Sequence, residues 1–129
     1  MIAAKAGTAR SHYEAMAYAS RIEAATPHDL VLVLYEELLL SLSILARSLR
    51  LGDTARASHQ FSRTTSILHA LCAGLDPEKG GSLAIALSDV YHSALHELRR
   101  ARETHDAARI DLLSDAFADM TANWRKLAA

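Results

Sequence analysis

A single cysteine, Cys72, rules out an internal disulfide and fits a reducing compartment. Proline occurs twice and glycine five times, so the backbone has few places to break. Only 5% of the residues are aromatic although 50% are apolar. Ala and Leu therefore carry the hydrophobicity, which favours helices over sheets. Charge of neither sign dominates: 14 basic and 15 acidic residues leave a net charge of -1. That balance argues against nucleic-acid binding through bulk positive charge. The opening "MIAAKAGTARSHYEAM" lacks the long apolar run of a signal peptide. Leu30–Leu49 is nearly long enough to span a membrane, but Glu36, Glu37 and Arg47 lie inside it. Each charge at mid-bilayer would cost ~2.5–3.5 kcal/mol, so a soluble helix is the better reading.

What remains is one domain's length of helix-forming sequence, 129 residues, enough for a sizeable core. Thr26 is a good N-cap, Pro27 suits the first helical position, and Asp29 completes a capping-box pattern. Gly52 can end that helix in the left-handed conformation, and Asp53 can cap the next. "LDPEKGG" reads as the one substantial loop, with a third helix starting at Gly81 or Ser82. Asp106 can cap a fourth. The expected helices are 27–51, 54–73, 82–105 and 107–127.

Apolar spacing agrees with helices throughout. Ile110, Leu113, Phe117, Met120, Trp124 and Leu127 alternate steps of three and four. Ala57, Phe61, Thr64, Leu68 and Leu71 do the same, as do Leu83, Leu87, Val90, Ala94, Leu98 and Ala101. No strand pattern or internal repeat is present. The fold class is all-α: an antiparallel four-helix bundle over residues 26–129, with short links forcing hairpins. Residues 1–25 read as a weakly held N-terminal helix or cap segment. Ser11 and Glu14 form a capping box there, but Tyr13, Met16 and Ala17 make a thin stripe that ends at the polar Ser20.

The first bundle helix carries more apolar surface than one core needs. Val31, Leu34, Tyr35, Leu38, Leu42, Leu45 and Leu49 form the core stripe. Val33, Leu40 and Ile44 form a second stripe, on the side of Glu36, Glu37 and Arg47. Two readings follow. Either something covers that stripe, whether a second subunit in a homodimer, the N-terminal segment or a partner's helix, or this helix is simply the most deeply set.

Other constellations are weaker. His92 and His96 have metal-ligand spacing but no third ligand. "HALCAG" at His69 resembles a phosphotransfer histidine, yet Cys72 stands where such domains carry Lys. Phosphate transfer onto His69 is the signalling alternative, and His69→Gln would abolish it. Arg99, Arg100 and Arg102 complement the negative end of their helix and are diluted by Glu97 and Glu103. Cys72 reads as a buried, inert thiol. No acid/base pair, catalytic triad or phosphate-cradling loop is found, so no enzyme activity and no cofactor are expected. Tyr35 and Tyr91 read either as core aromatics with hydroxyls at the surface or as groove residues.

Three blocks carry a family likeness. The first is "IEAATPHDLVLVLYEELL", with Ile22-Glu23, Thr26-Pro27, Leu30 and Leu34-Tyr35. The second is "LDPEKGGSLAIALSDVY", with Leu75-Asp76, Glu78, Gly80-Gly81, Leu83-Ala84, Leu87 and Val90-Tyr91. The third is a late tryptophan, Trp124. In this order and spacing the chain resembles the FliS family of flagellar secretion chaperones. It departs from the family's pattern at Glu36-Glu37, Ser82 and Ala86. The resemblance implies a four-helix bundle in the bacterial cytoplasm that binds the disordered C-terminal segment of flagellin. That binding would prevent premature polymerisation, and the complex would be handed to the flagellar export gate. It also implies that the N-terminal segment covers a groove until the client displaces it. The residues so implicated are Tyr18, Ile22, Val33, Leu34, Tyr35, Leu40, Ile44, Leu87 and Tyr91.

Overall fold

The computed structural model describes residues 13–16 and 26–127. Residues 13–16 form one helical turn, and four long helices follow: α1 (Pro27–Leu51), α2 (Thr54–Ala73), α3 (Pro77–Thr104) and α4 (Ala107–Leu127). Local chemistry sets their ends. Thr26 Oγ1 accepts from the Asp29 amide (3.2 Å), while Asp29 Oδ2 accepts from the Thr26 amide (3.3 Å). Gly52 adopts φ 70°, and the Asp53 amide reaches back to the Ser48 carbonyl (2.9 Å), a Schellman-type ending. Asp53 and Asp106 each accept from the amide three residues on, both at 3.1 Å, and so open α2 and α4.

The third helix differs from the expectation of a loop ending at Gly81. Asp76 Oδ1 accepts from the Glu78 and Lys79 amides (3.1 and 3.2 Å), and Pro77 has the right φ for a first turn. Cap and proline together start a helical turn before the glycines. Gly81 then breaks it, at φ 53° and ψ -132°, and the rest of α3 continues in a new direction. A side chain strains that backbone, although a Cβ there would meet nothing within 4 Å. Gly81→Ala is therefore expected to cost ~1–3 kcal/mol in denaturant unfolding. An unchanged midpoint would show that the kink relaxes freely.

Cross-helix contacts establish an up-down-up-down bundle. Glu37 pairs with Arg63 (2.6 Å) and Ser41 with Gln60 (2.9 Å), so α1 and α2 are antiparallel. Arg50 with Asp111, and Glu36 with Arg125 (3.4 Å), set α1 against α4. Arg102 of α3 reaches Ser58 of α2 (3.3 Å), and Glu97 of α3 pairs with Arg109 of α4. α1 packs densely on both α2 and α4, whereas α3 lies more loosely on the same two helices. Tyr35, Leu38, Leu42, Leu45, Phe61, Leu68, Leu71, Tyr91, Leu98, Ile110 and Phe117 make the core. A polar layer crosses it, where Ser41 Oγ meets both Gln60 Oε1 (2.9 Å) and Thr64 Oγ1 (2.8 Å).

Candidate partner-binding surfaces

Tyr35 and Tyr91 lie in the core, not on a groove. Each ring is almost fully buried, and the hydroxyls bond each other (2.7 Å) rather than reaching the surface. Phe117 stacks on Tyr91 and meets Tyr35 edge-on. Burial pushes both phenol pKa values up; for Tyr35 the bond from Tyr91 partly opposes it, and for Tyr91 the neighbouring Tyr35 adds to it. Tyr35→Phe strands the Tyr91 hydroxyl and is expected to cost ~1–3 kcal/mol, while Tyr35→Phe/Tyr91→Phe costs less than the summed singles. Unfolded tyrosines ionise near pH 10 while the folded pair stays protonated. Stability should therefore fall as pH rises past about 10, less steeply in the double variant. Additive costs in urea titrations would contradict a coupled pair.

Trp124 ties the end of α4 to the start of α1, at one end of the bundle. Its ring stacks on His28 (centroids 4.7 Å, 10°), and its Nε1 donates to the His28 carbonyl (3.0 Å). His28 Nε2 donates in return to the Trp124 carbonyl (3.1 Å). The sequence marks Trp124 but not His28, because partners 96 residues apart leave no local pattern.

Leu34 faces a shallow groove of about 490 Å³ between α1 and α2, with Glu37, Arg63, Ile67 and Ala70, and Ala15 of the short turn stands on its rim. Tyr13 and Met16 of that turn are exposed. Tyr18 and Ile22 lie outside the described residues. Val33 is only 6% exposed yet stands apart from the core cluster. Leu40 is 55% exposed and Ile44 half-buried. Helix geometry, at about 100° per residue, puts Leu40 and Ile44 on the outward ridge of α1. Ile44 lines a cleft of about 390 Å³ with Ser48, Leu51 and Arg56, and Leu40 stands exposed beyond it.

A second apolar surface lies on α3. Only the C-terminal half of its apolar stripe is core. Ala94, Leu98 and Ala101 are buried, whereas Leu83 is 53% and Val90 39% exposed, with Leu87 half-buried. The same periodicity places Leu83, Leu87 and Val90 on the side of α3 that carries Glu97, whose ion pair with Arg109 marks the flank toward α4. On α4, Leu113, Met120 and Leu127 share the Arg109 side. Leu113 and Met120 are half-buried and Leu127 is exposed. The loose α3 and α4 pair thus exposes Leu83, Val90 and Leu127 beside Leu87, Leu113 and Met120, which pack in part against the core.

Elsewhere the surface offers less. A pocket of about 410 Å³ at the α1–α2 turn is lined by Leu49, Ala57 and Phe61, with Arg102 over the Phe61 ring (5.4 Å). His92 Nδ1 donates to the Ser88 carbonyl (2.7 Å). Among the described residues, no group of three or more His, Cys, Asp or Glu could hold a metal ion, and no helix is long and apolar enough to cross a membrane. His69 is exposed, and burial pushes the half-buried Cys72 thiol up.

Comparison with known proteins accords with the three sequence blocks. The flagellar secretion chaperone FliS of Salmonella typhimurium is 28% identical over 116 residues, covering 89% of this chain and 86% of that protein. The family model described as flagellar protein FliS matches residues 9–129. A match across nearly the whole length shows the family, and this chain belongs to the FliS family.

Proposed function

We propose that this protein is a flagellar export chaperone that holds the C-terminal disordered segment of flagellin in the cytoplasm, keeps it from polymerising and presents it to the export gate. The observation that carries this reading is the open apolar face along α3 in a chain of this family. A disordered client loses entropy when it binds, so it needs a large apolar surface to gain affinity. Leu83, Leu87 and Val90, with Leu113, Met120 and Leu127 opposite, form a strip suited to the apolar stripe of a client helix. The groove beside Leu34 suits the N-terminal cap segment, with Tyr18 and Ile22 as its apolar contacts. The activity is binding without catalysis, and it needs no cofactor.

Mixing the protein with monomeric flagellin tests this. The expected result is a one-to-one complex in sedimentation and a filament assembly rate that falls as the protein is added. Filaments growing at an unchanged rate beside the free, folded protein would reject the reading.

A further inference from the structure

The two ends of the bundle carry opposite charge. At the end where α1 turns into α2 and α3 into α4, residues 47–63 and 97–111 hold eight arginines against five acids. The rest of the described chain holds eight acids against three basic residues. Ion pairs and a cap then engage most of the acids at the basic end. Arg109 holds Glu97 and Asp106, Arg50 holds Asp111, and Asp53 caps α2. Of those five acids only Glu103 is in none of these contacts. Arg47, Arg56, Arg99, Arg100 and Arg102 are exposed, with no ion pair among the described residues. The sequence sets Glu97 beside the three α3 arginines, but the fold turns it toward α4.

An apolar hollow opens among these cations. The pocket of about 410 Å³ has Leu49, Ala57 and Phe61 in its wall and Arg102 over the Phe61 ring. Among the described residues the Arg102 guanidinium donates only to Ser58 Oγ (3.3 Å), a neutral acceptor, so its charge is not met. The adjoining cleft of about 390 Å³ shares Ser48 and Asp53 with the pocket and carries Arg47 and Arg56. Cations therefore stand on both sides of the hollow. We propose that this end of the bundle binds an acidic segment of a partner protein, with one apolar side chain of that segment seated against Phe61. Carboxylates on one side of the anchor pair with Arg102, and those on the other side with Arg47 and Arg56. Arg99, one turn before Arg102 on α3, adds to the attraction. Asp53 stands between the two groups of cations and keeps carboxylates off the turn itself. The order acid, apolar, acid suits a peptide better than a nucleic acid, whose charge is unbroken. The site lies roughly 28 Å along α3 from Leu83, at 1.5 Å per residue, so it is separate from the open strip on that helix. It does not rest on the flagellin reading, and the test below contains no flagellin.

Fluorescence anisotropy of the full chain with a dye-labelled probe peptide, a phenylalanine flanked on each side by aspartates, tests this. The expected Kd at low ionic strength is on the order of tens of micromolar, and it rises steeply with salt. Alanine in place of the probe's phenylalanine should weaken binding about tenfold. Arg102→Glu should weaken it by at least about tenfold, and so should Arg47→Glu/Arg56→Glu, which alters only exposed side chains and leaves the Phe61 ring covered. Lys126→Glu makes the same change of charge per residue at the opposite end of the bundle and should leave the Kd unaltered. No binding at low salt would overturn the proposal. So would an equal loss in Lys126→Glu, indifference to the probe's phenylalanine, or tighter binding of a single-stranded RNA of the same length.

Discussion

Trp124→Ala should remove about 3 kcal/mol of stability, the low end of the range for deleting a core aromatic, because the ring is half-buried against the core. Small domains are stable by ~5–15 kcal/mol, so this is a large fraction of the whole. The size follows from what the ring touches. It stacks on His28, meets Tyr35 edge-on at 5.9 Å, and closes the bond from Nε1 to the His28 carbonyl. These contacts hold the start of α1 to the end of α4. Trp124→Phe keeps most of the apolar ring and loses that bond, so its cost should fall between wild type and alanine. His28→Ala removes the stack but spares the edge contact with Tyr35, and should also cost less than Trp124→Ala. Urea unfolding monitored by far-UV dichroism measures all three. A loss near zero for Trp124→Ala would mean that the ring is not part of the packed structure in solution.

The second large effect concerns the client. Leu83→Glu/Val90→Glu should weaken flagellin binding by at least about a hundredfold, because burying a charge in an apolar contact is costly. Both side chains are substantially exposed in the free protein, so its helix content and melting temperature should change little. Ile85→Glu is the control. Ile85 is also exposed, but on the far side of α3 from Leu87, and its substitution should leave affinity unaltered. Equal losses at both places would mean that the client does not follow the α4 flank of α3.

Legibility differed with the range of the interaction. Thr26-Pro27, Gly52-Asp53 and Asp106 are readable because a cap uses residues within one turn of the chain. The start of α3 was harder, since Asp76-Pro77 and Gly80-Gly81 both carry helix-start signals and the structure uses the first pair before breaking at the second. Periodicity found the α3 stripe but not its exposure. Spacing shows which residues share a face, not whether a neighbouring helix comes close enough to cover them. Leu83 and Val90 share a stripe with the buried Leu98 and Ala101 yet emerge as surface. Tyr35 and Tyr91 show the reverse. A buried tyrosine needs a partner for its hydroxyl, and the partner here is the other tyrosine, across the bundle. The family blocks were legible throughout; helix spacing put Leu40 and Ile44 on one stripe, and only the fold shows Leu40 exposed and Ile44 half-buried.

Calorimetric titration of the full chain with the C-terminal segment of flagellin from the same genome tests the chaperone reading most directly. Tight one-to-one binding with a strongly negative heat-capacity change is the expected result, because a disordered segment that folds onto an apolar surface removes much of that surface from water. No heat of binding at any temperature, from protein shown to be folded, would contradict it and send the open face of α3 to another partner.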